Sequence, residues 1–585
     1  MWRIIKRFLG LVLPYKKHFF LALFSVLLLS VLGPLRPYLI GKAVDQYIIQ
    51  TTDSKRLLFA LLGVFVLLII ETLVVWLATY FSNFLAQTII KTLRVRIYQK
   101  ILGFKTSFFD KTPVGNLVTR VVSDVEAIYE VFSAGLMEIA GDLLSLLAIL
   151  SFMFYVDWKL SLLTLIPIPI LIFATKIFAK AMKTSFQMER KQVAKLNTFI
   201  QEHLMGLTLI QWFNREKKSY EAFKEINKNH RDAHIKAVWA NSIFFPVVEL
   251  LSSLSIAFIL VWGALMVEGK SQTQISALFG NIIAFTLWIN QLYRPIRQLA
   301  DKFNILQRGV VRAERIFEIM DNEEEPQWDQ GTQTVFENGP IQFNNVSFAY
   351  QKDVTLFDRL NATLPNGQIT AFVGTTGSGK TTLVNLIGRF YELNQGEITI
   401  NGMDIRTYAL STLHREIGYV QQDVFLFSDT IHNNIALGNS EITRARIIET
   451  AKAIGAHSFI MNLPNTYDYV IGERGGALSV GQRQLLSFIR VMVYNPSILI
   501  LDEATSSVDS ESELLIQNAI HEMTKNRTSI IIAHRLSTIK KAHTIFVMES
   551  GSIVEQGNHD SLLQLKGVYA RLFEKQFKSQ YASEV

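Results

Sequence analysis

Gly374-Thr375-Thr376-Gly377-Ser378-Gly379-Lys380-Thr381 matches the pattern GxxxxGK[ST] at every fixed position. It follows an apolar, strand-like run, 369–373, and leads into a helix-like run, 382–389. A strand, a glycine-rich loop and a helix form the setting in which backbone N–H groups crowd onto phosphates. Glycine has no Cβ to hold a phosphate off, and the helix N-terminus adds the positive end of its dipole. The phosphate contacts are assigned to Gly374, Thr375, Thr376, Gly377, Ser378, Gly379, Lys380, Thr381 and Thr382. Lys380 reaches the β- and γ-phosphates of a nucleotide, and Thr381 holds Mg²⁺.

A second stretch completes such a site. Residues 497–501 read as a buried strand that ends in Asp502-Glu503. After a phosphate loop, Asp502 is expected to hold the metal ion and Glu503 to polarise the attacking water.

The chain has 585 residues, too many for one core. Hydrophobic residues make up 49% and charged residues 18%, which leans towards a membrane protein, and the first half is far more apolar than the second. The net charge of +8 first suggests a nucleic-acid partner. The Lys/Arg excess instead sits between long apolar runs, where it sets membrane orientation, so no nucleic acid is expected. The absence of cysteine excludes disulfides, Cys-ligated zinc and thiol catalysis.

Six apolar runs are long enough to cross a bilayer: 19–40, 57–81, 134–156, 158–179, 242–267 and 275–299. Pro34, Pro37, Pro167 and Pro169 mark kinks. The connections 82–133 and 180–241 are long and carry most of the inter-span Lys/Arg, which places them and both termini on the cytoplasmic side of the cytoplasmic membrane. Helical spacing over 87–104 and 187–213 predicts that the spans continue beyond the membrane. Turn-like breaks fall at 108–115 and after Gly206. The basic, amphipathic N-terminus has no signal-peptide pattern and is expected to lie on the membrane surface. The predicted domains are an elbow at 1–18, a transmembrane domain at 19–320, an acidic linker at 321–340 and an α/β nucleotide-binding domain at 341–585.

Glu71, Glu138, Asp142, Glu249, Asn281 and Asn290 lie inside predicted spans. They read either as the lining of a pathway for cationic or polar cargo or as groups paired within the bundle. Phe285 and Trp288 fit core packing better than a cavity wall.

Further motifs follow in order. Leu478-Ser479-Val480-Gly481-Gln482 resembles the signature Leu-Ser-Gly-Gly-Gln of ATP-binding cassette (ABC) transporters, and the whole chain resembles a half-size exporter of that superfamily. The resemblance implies that Tyr350 stacks on adenine, that Gln422 links Mg²⁺ to the membrane interface, and that His534 contacts the γ-phosphate. Gly472-Glu473-Arg474-Gly475 resembles the exporter segment ahead of the signature, and Ser507-Val508-Asp509 the dimer-contact loop. Phe108-Phe109-Asp110 with Gly115, and the stretch through Gly206, Phe213 and Glu216, resemble coupling elements. The implied cofactors are ATP and Mg²⁺.

Within the family, Ser479, Gly481 and Gln482 face the phosphate loop of an opposite subunit, so a second half-transporter is implied. Val480 replaces the signature's first glycine, and its branched side chain crowds the close approach that glycine permits. Glu503 and His534 are retained. That combination favours the hydrolysing half of a heterodimer, with a homodimer as the alternative. The expected activity is ATP-driven outward movement of amphipathic small molecules or lipids by alternating access. An ATP-gated channel, a soluble ATPase, an importer and a leader-cleaving peptide exporter fit less well.

Overall fold

The computed structural model describes residues 7, 10–50, 53–131, 133, 137–267, 272–322, 331–351, 354–472, 475–502, 510–532 and 539–581. The chain forms two compact units: Met1–Leu102 with Pro113–Glu323, and Gly103–Thr112 with Glu324–Val585.

The first unit is helical. Its long helices are α1 (Lys16–Ala43), α2 (Ser54–Leu102), α4 (Met137–Val156), α6 (Ile168–Met205), α8 (Glu216–Met266) and α9 (Gln272–Met320); α5 (Trp158–Leu165) leads into α6 and α7 (Leu207–Trp212) joins α6 to α8. Between α2 and α4 lies α3 (Thr106–Lys111), which belongs to the second unit. Six helical segments are long and apolar enough to cross a membrane, one at each predicted run. At 49 residues, α2 is about 74 Å long, well beyond a hydrocarbon core of about 30 Å. The expected helical extensions are therefore present, and the breaks at 108–115 and Gly206 carry the short helices α3 and α7. Residues 300–320 continue α9 without a break from the sixth span.

Proline explains two irregularities. Pro167 and Pro169 stand at the start of α6, where their missing N–H groups cost little. Pro34 and Pro37 lie inside α1. Pro37 cannot donate to the carbonyl of Gly33, four residues back. Gln291 of α9 donates its Nε2 to that oxygen at 3.3 Å, and Trp288 donates its Nε1 to the carbonyl of Pro34 at 2.9 Å. Trp288 and Phe285 are both 0% exposed, and their rings meet edge to face at 5.4 Å. They are core, as the sequence favoured. Farther along the same helices, α1 and α9 touch backbone to backbone: a Cβ on Gly41 or Gly280 would lie 2.5 Å from the other's carbonyl oxygen.

The second unit is α/β. Its strands are β1 (Ile341–Phe348), β2 (Phe357–Leu364), β3 (Ile369–Gly374), β4 (Gln395–Ile400), β5 (Met403–Asp404), β6 (Ile417–Val420), β7 (Ile498–Asp502), β8 (Thr528–Ile532), β9 (Thr544–Glu549) and β10 (Ser552–Gly557). The order β10-β9-β3-β8-β7-β6 forms one sheet, parallel except at β10, and β2-β1-β4-β5 forms an antiparallel sheet. Strands β7 and β8 are buried throughout, as a parallel sheet covered on both faces requires. The phosphate loop leaves the C-terminal end of β3, inside the sheet, where ligands of open α/β sheets bind.

Trp288→Phe, which keeps the ring packing but removes the indole donor to the Pro34 carbonyl, is expected to cost about 0.5–1.5 kcal/mol. Trp288→Ala is expected to cost about 3–5 kcal/mol. Thermal unfolding in detergent checks both. A Phe variant as stable as the parent would remove the carbonyl-satisfying role.

Candidate nucleotide site

Two glycines set the loop's shape. Gly377 and Gly379 have φ of 84° and 101°, in the left-handed region that residues with a Cβ resist. Gly379 is the N-cap of α10 (Lys380–Ile387), so the loop feeds directly into a helix N-terminus. The helix starts two residues earlier than its apolar pattern suggests. The Lys380 ammonium donates to the carbonyls of Gly374 and Thr375 at 2.9 and 3.0 Å, and lies 3.4 Å from Ser378 Oγ. Burial pushes the Lys380 pKa down, while the negative charge of Asp502 opposes that shift.

Strand β7 brings Asp502 to the same place. Its Oδ2 is 3.4 Å from Thr381 Oγ1 and 3.4 Å from the Tyr419 hydroxyl. Burial, then Asp502, raises the Tyr419 pKa, so that phenol remains a donor. A carboxylate beside a hydroxyl is a set of hard oxygen donors, the type that suits Mg²⁺. A cleft of about 620 Å³ is lined by Tyr350, Thr376, Gly377, Gly379, Lys380, Thr381, Thr382, Gln422 and Asp502, with Gln351, Val354 and Leu356. One cleft thus brings together the predicted adenine residue Tyr350, the predicted metal residues Thr381, Gln422 and Asp502, and Thr376, Gly377, Gly379, Lys380 and Thr382 of the predicted phosphate set; Gly374, Thr375 and Ser378 are not part of its lining. Tyr350 donates its hydroxyl to Thr382 Oγ1 at 3.0 Å and is 47% exposed.

The signature stands apart from that lining. Ser479 caps α11 (Val480–Met492): its Oγ accepts from the Gln482 N–H at 3.2 Å, and Gln482 Oε1 accepts from the Ser479 N–H at 3.0 Å. Gly481 is buried. Val480 is the first residue of the helix and is 44% exposed. Glu503, His534, the 507–509 loop, Glu473 and Arg474 lie outside the described residues.

Family models agree with this arrangement. One for the ABC transporter transmembrane region matches residues 19–296, and one for ABC transporter matches 357–506. The chain belongs to the ABC transporter family. An ATP-dependent lipid A-core flippase of Syntrophus aciditrophicus is 35% identical over 99% of this chain and 96% of that protein. An uncharacterized ABC transporter ATP-binding protein of Bacillus subtilis, YfiC, is 35% identical over 95% of this chain and 92% of its own. The solved structure of a bacterial Atm1-family ABC exporter with ATP bound matches with a TM-score of 0.77 at 26% identity, covering 96% of this chain and 98% of that one. This ABC transporter is a multi-pass, half-size exporter whose nucleotide-binding domain binds ATP and couples its hydrolysis to transport. Half-size exporters of the family act as dimers in the membrane.

The transporter's intramembrane acids have partners that their own positions do not announce. Glu71 Oε2 accepts from Arg36 at 3.1 Å. Lys302 is 7% exposed and lies 2.5 Å from Asp142 and 3.2 Å from Glu138. Asn290 donates to the carbonyl of Thr286, one turn back in its own helix, at 3.2 Å. Asn281 lines a cleft of about 410 Å³ with Tyr38, Lys42, Asp45 and Tyr155. Arg36 was a visible signal, a lone cation in the first apolar run. Lys302 was not, because it falls just past the sixth.

Lys302→Met leaves two carboxylates facing one another without their cation. It is expected to destabilise the transporter by roughly 3 kcal/mol, and Asp142→Asn together with Glu138→Gln should recover most of the loss. Thermal unfolding of the single and combined variants is the check; a loss that the acid replacements leave unchanged would refute the pairing.

Proposed function

We propose that this chain is the hydrolysing subunit of a heterodimeric exporter that moves lipids or amphipathic small molecules outward across the cytoplasmic membrane. The observation that carries this reading is the shared cleft, in which the phosphate loop, Asp502, Gln422 and Tyr350 meet while Ser479–Gln482 cap a helix elsewhere. A site lacking its signature is completed by a second subunit.

In this reading Tyr350 stacks on adenine, Gly374 to Thr382 cradle the phosphates, and Lys380 neutralises charge on the β- and γ-phosphates. Asp502, Thr381 and Gln422 would hold Mg²⁺, which when bound supplies further neutralisation of the phosphate oxygens. Glu503 orients a water and takes its proton as the oxygen attacks the γ-phosphorus. The bond to the bridging oxygen breaks, leaving ADP and phosphate, and His534 contacts the transferred group. Ser479, Gly481 and Gln482 serve the opposite nucleotide. Val480 supports the heterodimer: its branched side chain sits in the first turn of α11, where the family signature has glycine.

The cargo class rests on the flippase relatives and on the Atm1-family neighbour. The partnered acids favour amphipathic over strongly cationic cargo, since Arg36 and Lys302 already balance part of their charge. The Lys/Arg-rich connections support cytoplasmic termini, an elbow at 1–18 and a transmembrane domain at 19–320. A linker at 321–340 and the nucleotide-binding domain at 341–585 follow.

Glu503→Gln is expected to retain ATP binding and to lower the hydrolysis rate by about 10²–10⁴-fold. Steady-state ATPase and nucleotide-trapping assays separate the two effects. The chain purified without a partner should turn over slowly, and Val480→Gly should raise that rate about tenfold. Robust turnover of the unmodified chain alone, with ordinary Mg·ATP affinity, would establish the homodimer instead.

A further inference from the structure

The ring of Tyr350 is held from its edges. Phe348 meets it at 4.9 Å and 83°, and Tyr391 meets it at 5.1 Å and 85°. Its hydroxyl is tied to Thr382. Two perpendicular rings and one hydrogen bond fix the tilt of the platform. Tyr391 has a further attachment outside this cluster: its hydroxyl donates to Asp110 Oδ2 at 2.7 Å. Asp110 lies in α3, 281 positions earlier in the chain. Burial, with Asp110 adding to it, raises the Tyr391 pKa, so the phenol keeps the proton it donates. Lys105, Ser107, Asp110 and Lys111 share a cleft of about 900 Å³ with Tyr350 and Tyr391. Through Gly103 the chain runs directly from α3 back into α2, the long helix of the second span.

We propose that Tyr391 is a positioning residue for the adenine platform, and that its bond to Asp110 makes ATP affinity depend on where α3 sits. The proposal rests on the reading of Tyr350 as the adenine-stacking residue. A shift of α3 pulls on one phenol, tilts one ring and changes stacking on the base. Lys380 and Thr381, which bond to Gly374, Thr375 and Asp502, lie outside that linkage. The signal from the second span thus reaches the nucleotide as a change in KM for ATP, not in kcat.

The test uses the full-length chain in its functional dimer, reconstituted in lipid nanodiscs. ATPase rates are measured against Mg·ATP concentration, and magnesium tripolyphosphate, which has the phosphates and no base, is the competitor. Tyr391→Ala is expected to raise KM for ATP by about threefold to tenfold, the range of one edge-to-face aromatic pair. kcat should stay within about twofold, and inhibition by tripolyphosphate should not move. Tyr391→Phe and Asp110→Ala should each raise KM by about threefold, and the double variant by no more than either alone. A merely structural role would shift kcat and tripolyphosphate inhibition as well, and that result overturns the proposal. Additive effects of Tyr391→Phe and Asp110→Ala overturn the link to α3. Tyr350→Ala separates the premise from the proposal. If it weakens ATP relative to tripolyphosphate and the Tyr391 variants do not, the stacking reading stands and this inference falls. If Tyr350→Ala leaves that ratio unchanged, the stacking reading itself fails.

Discussion

A backbone carbonyl or amide in an apolar medium needs a partner, and both units of this protein are arranged around that requirement. In the first unit it makes the spans helical and converts Pro37 into a demand on a neighbour. Pro37 strips the Gly33 carbonyl of its donor, and Gln291 supplies one. The first and last spans are therefore joined by a hydrogen bond that α1 would not need without that proline. In the second unit the requirement is met by the ladders of two sheets, and the phosphate loop departs from it. Left-handed glycines at 377 and 379 turn the loop so that two of its carbonyls are met by a lysine ammonium. The Gly374 and Thr375 carbonyls are thus answered from within the loop.

Local pattern carried most of the architecture. Apolar runs of bilayer length, a glycine loop between a strand and a helix, and a buried strand ending in Asp502 are all properties of contiguous residues. Each reappears where the sequence put it. Pairings between distant residues were not legible in the same way. Nothing in the neighbourhood of Asp142 points to Lys302, which is 160 positions away, and nothing near Tyr391 points to Asp110. Such contacts are set by how helices and sheets pack, and periodicity reports only which face is covered. The placement of α3 is the sharpest instance. By sequence it interrupts a membrane domain, yet by packing it is part of the nucleotide-binding unit. The roles of Glu503 and His534 rest on motif order, while those of Lys380, Thr381 and Asp502 rest on motif order and proximity together.

The signature helix illustrates how one segment serves two masters. Ser479 and Gln482 form a reciprocal cap, which satisfies amides at the start of α11 from within the chain. The same side chains are those expected to meet a nucleotide from another subunit. The cap fixes the approach angle of the helix N-terminus before any partner arrives. Val480 follows immediately, so whatever bulk it adds is presented at a rigid edge that cannot yield by fraying.

The crossing of Gly41 and Gly280 has a consequence for how this protein can change over time. Most helix contacts tolerate drift, because a larger residue on one side is matched by a smaller one on the other. Here both sides are already at the minimum, and an added methyl at either position meets a carbonyl oxygen at 2.5 Å. A side chain at either position therefore requires the two helices to move apart, so these glycines set how closely the first and last spans can cross.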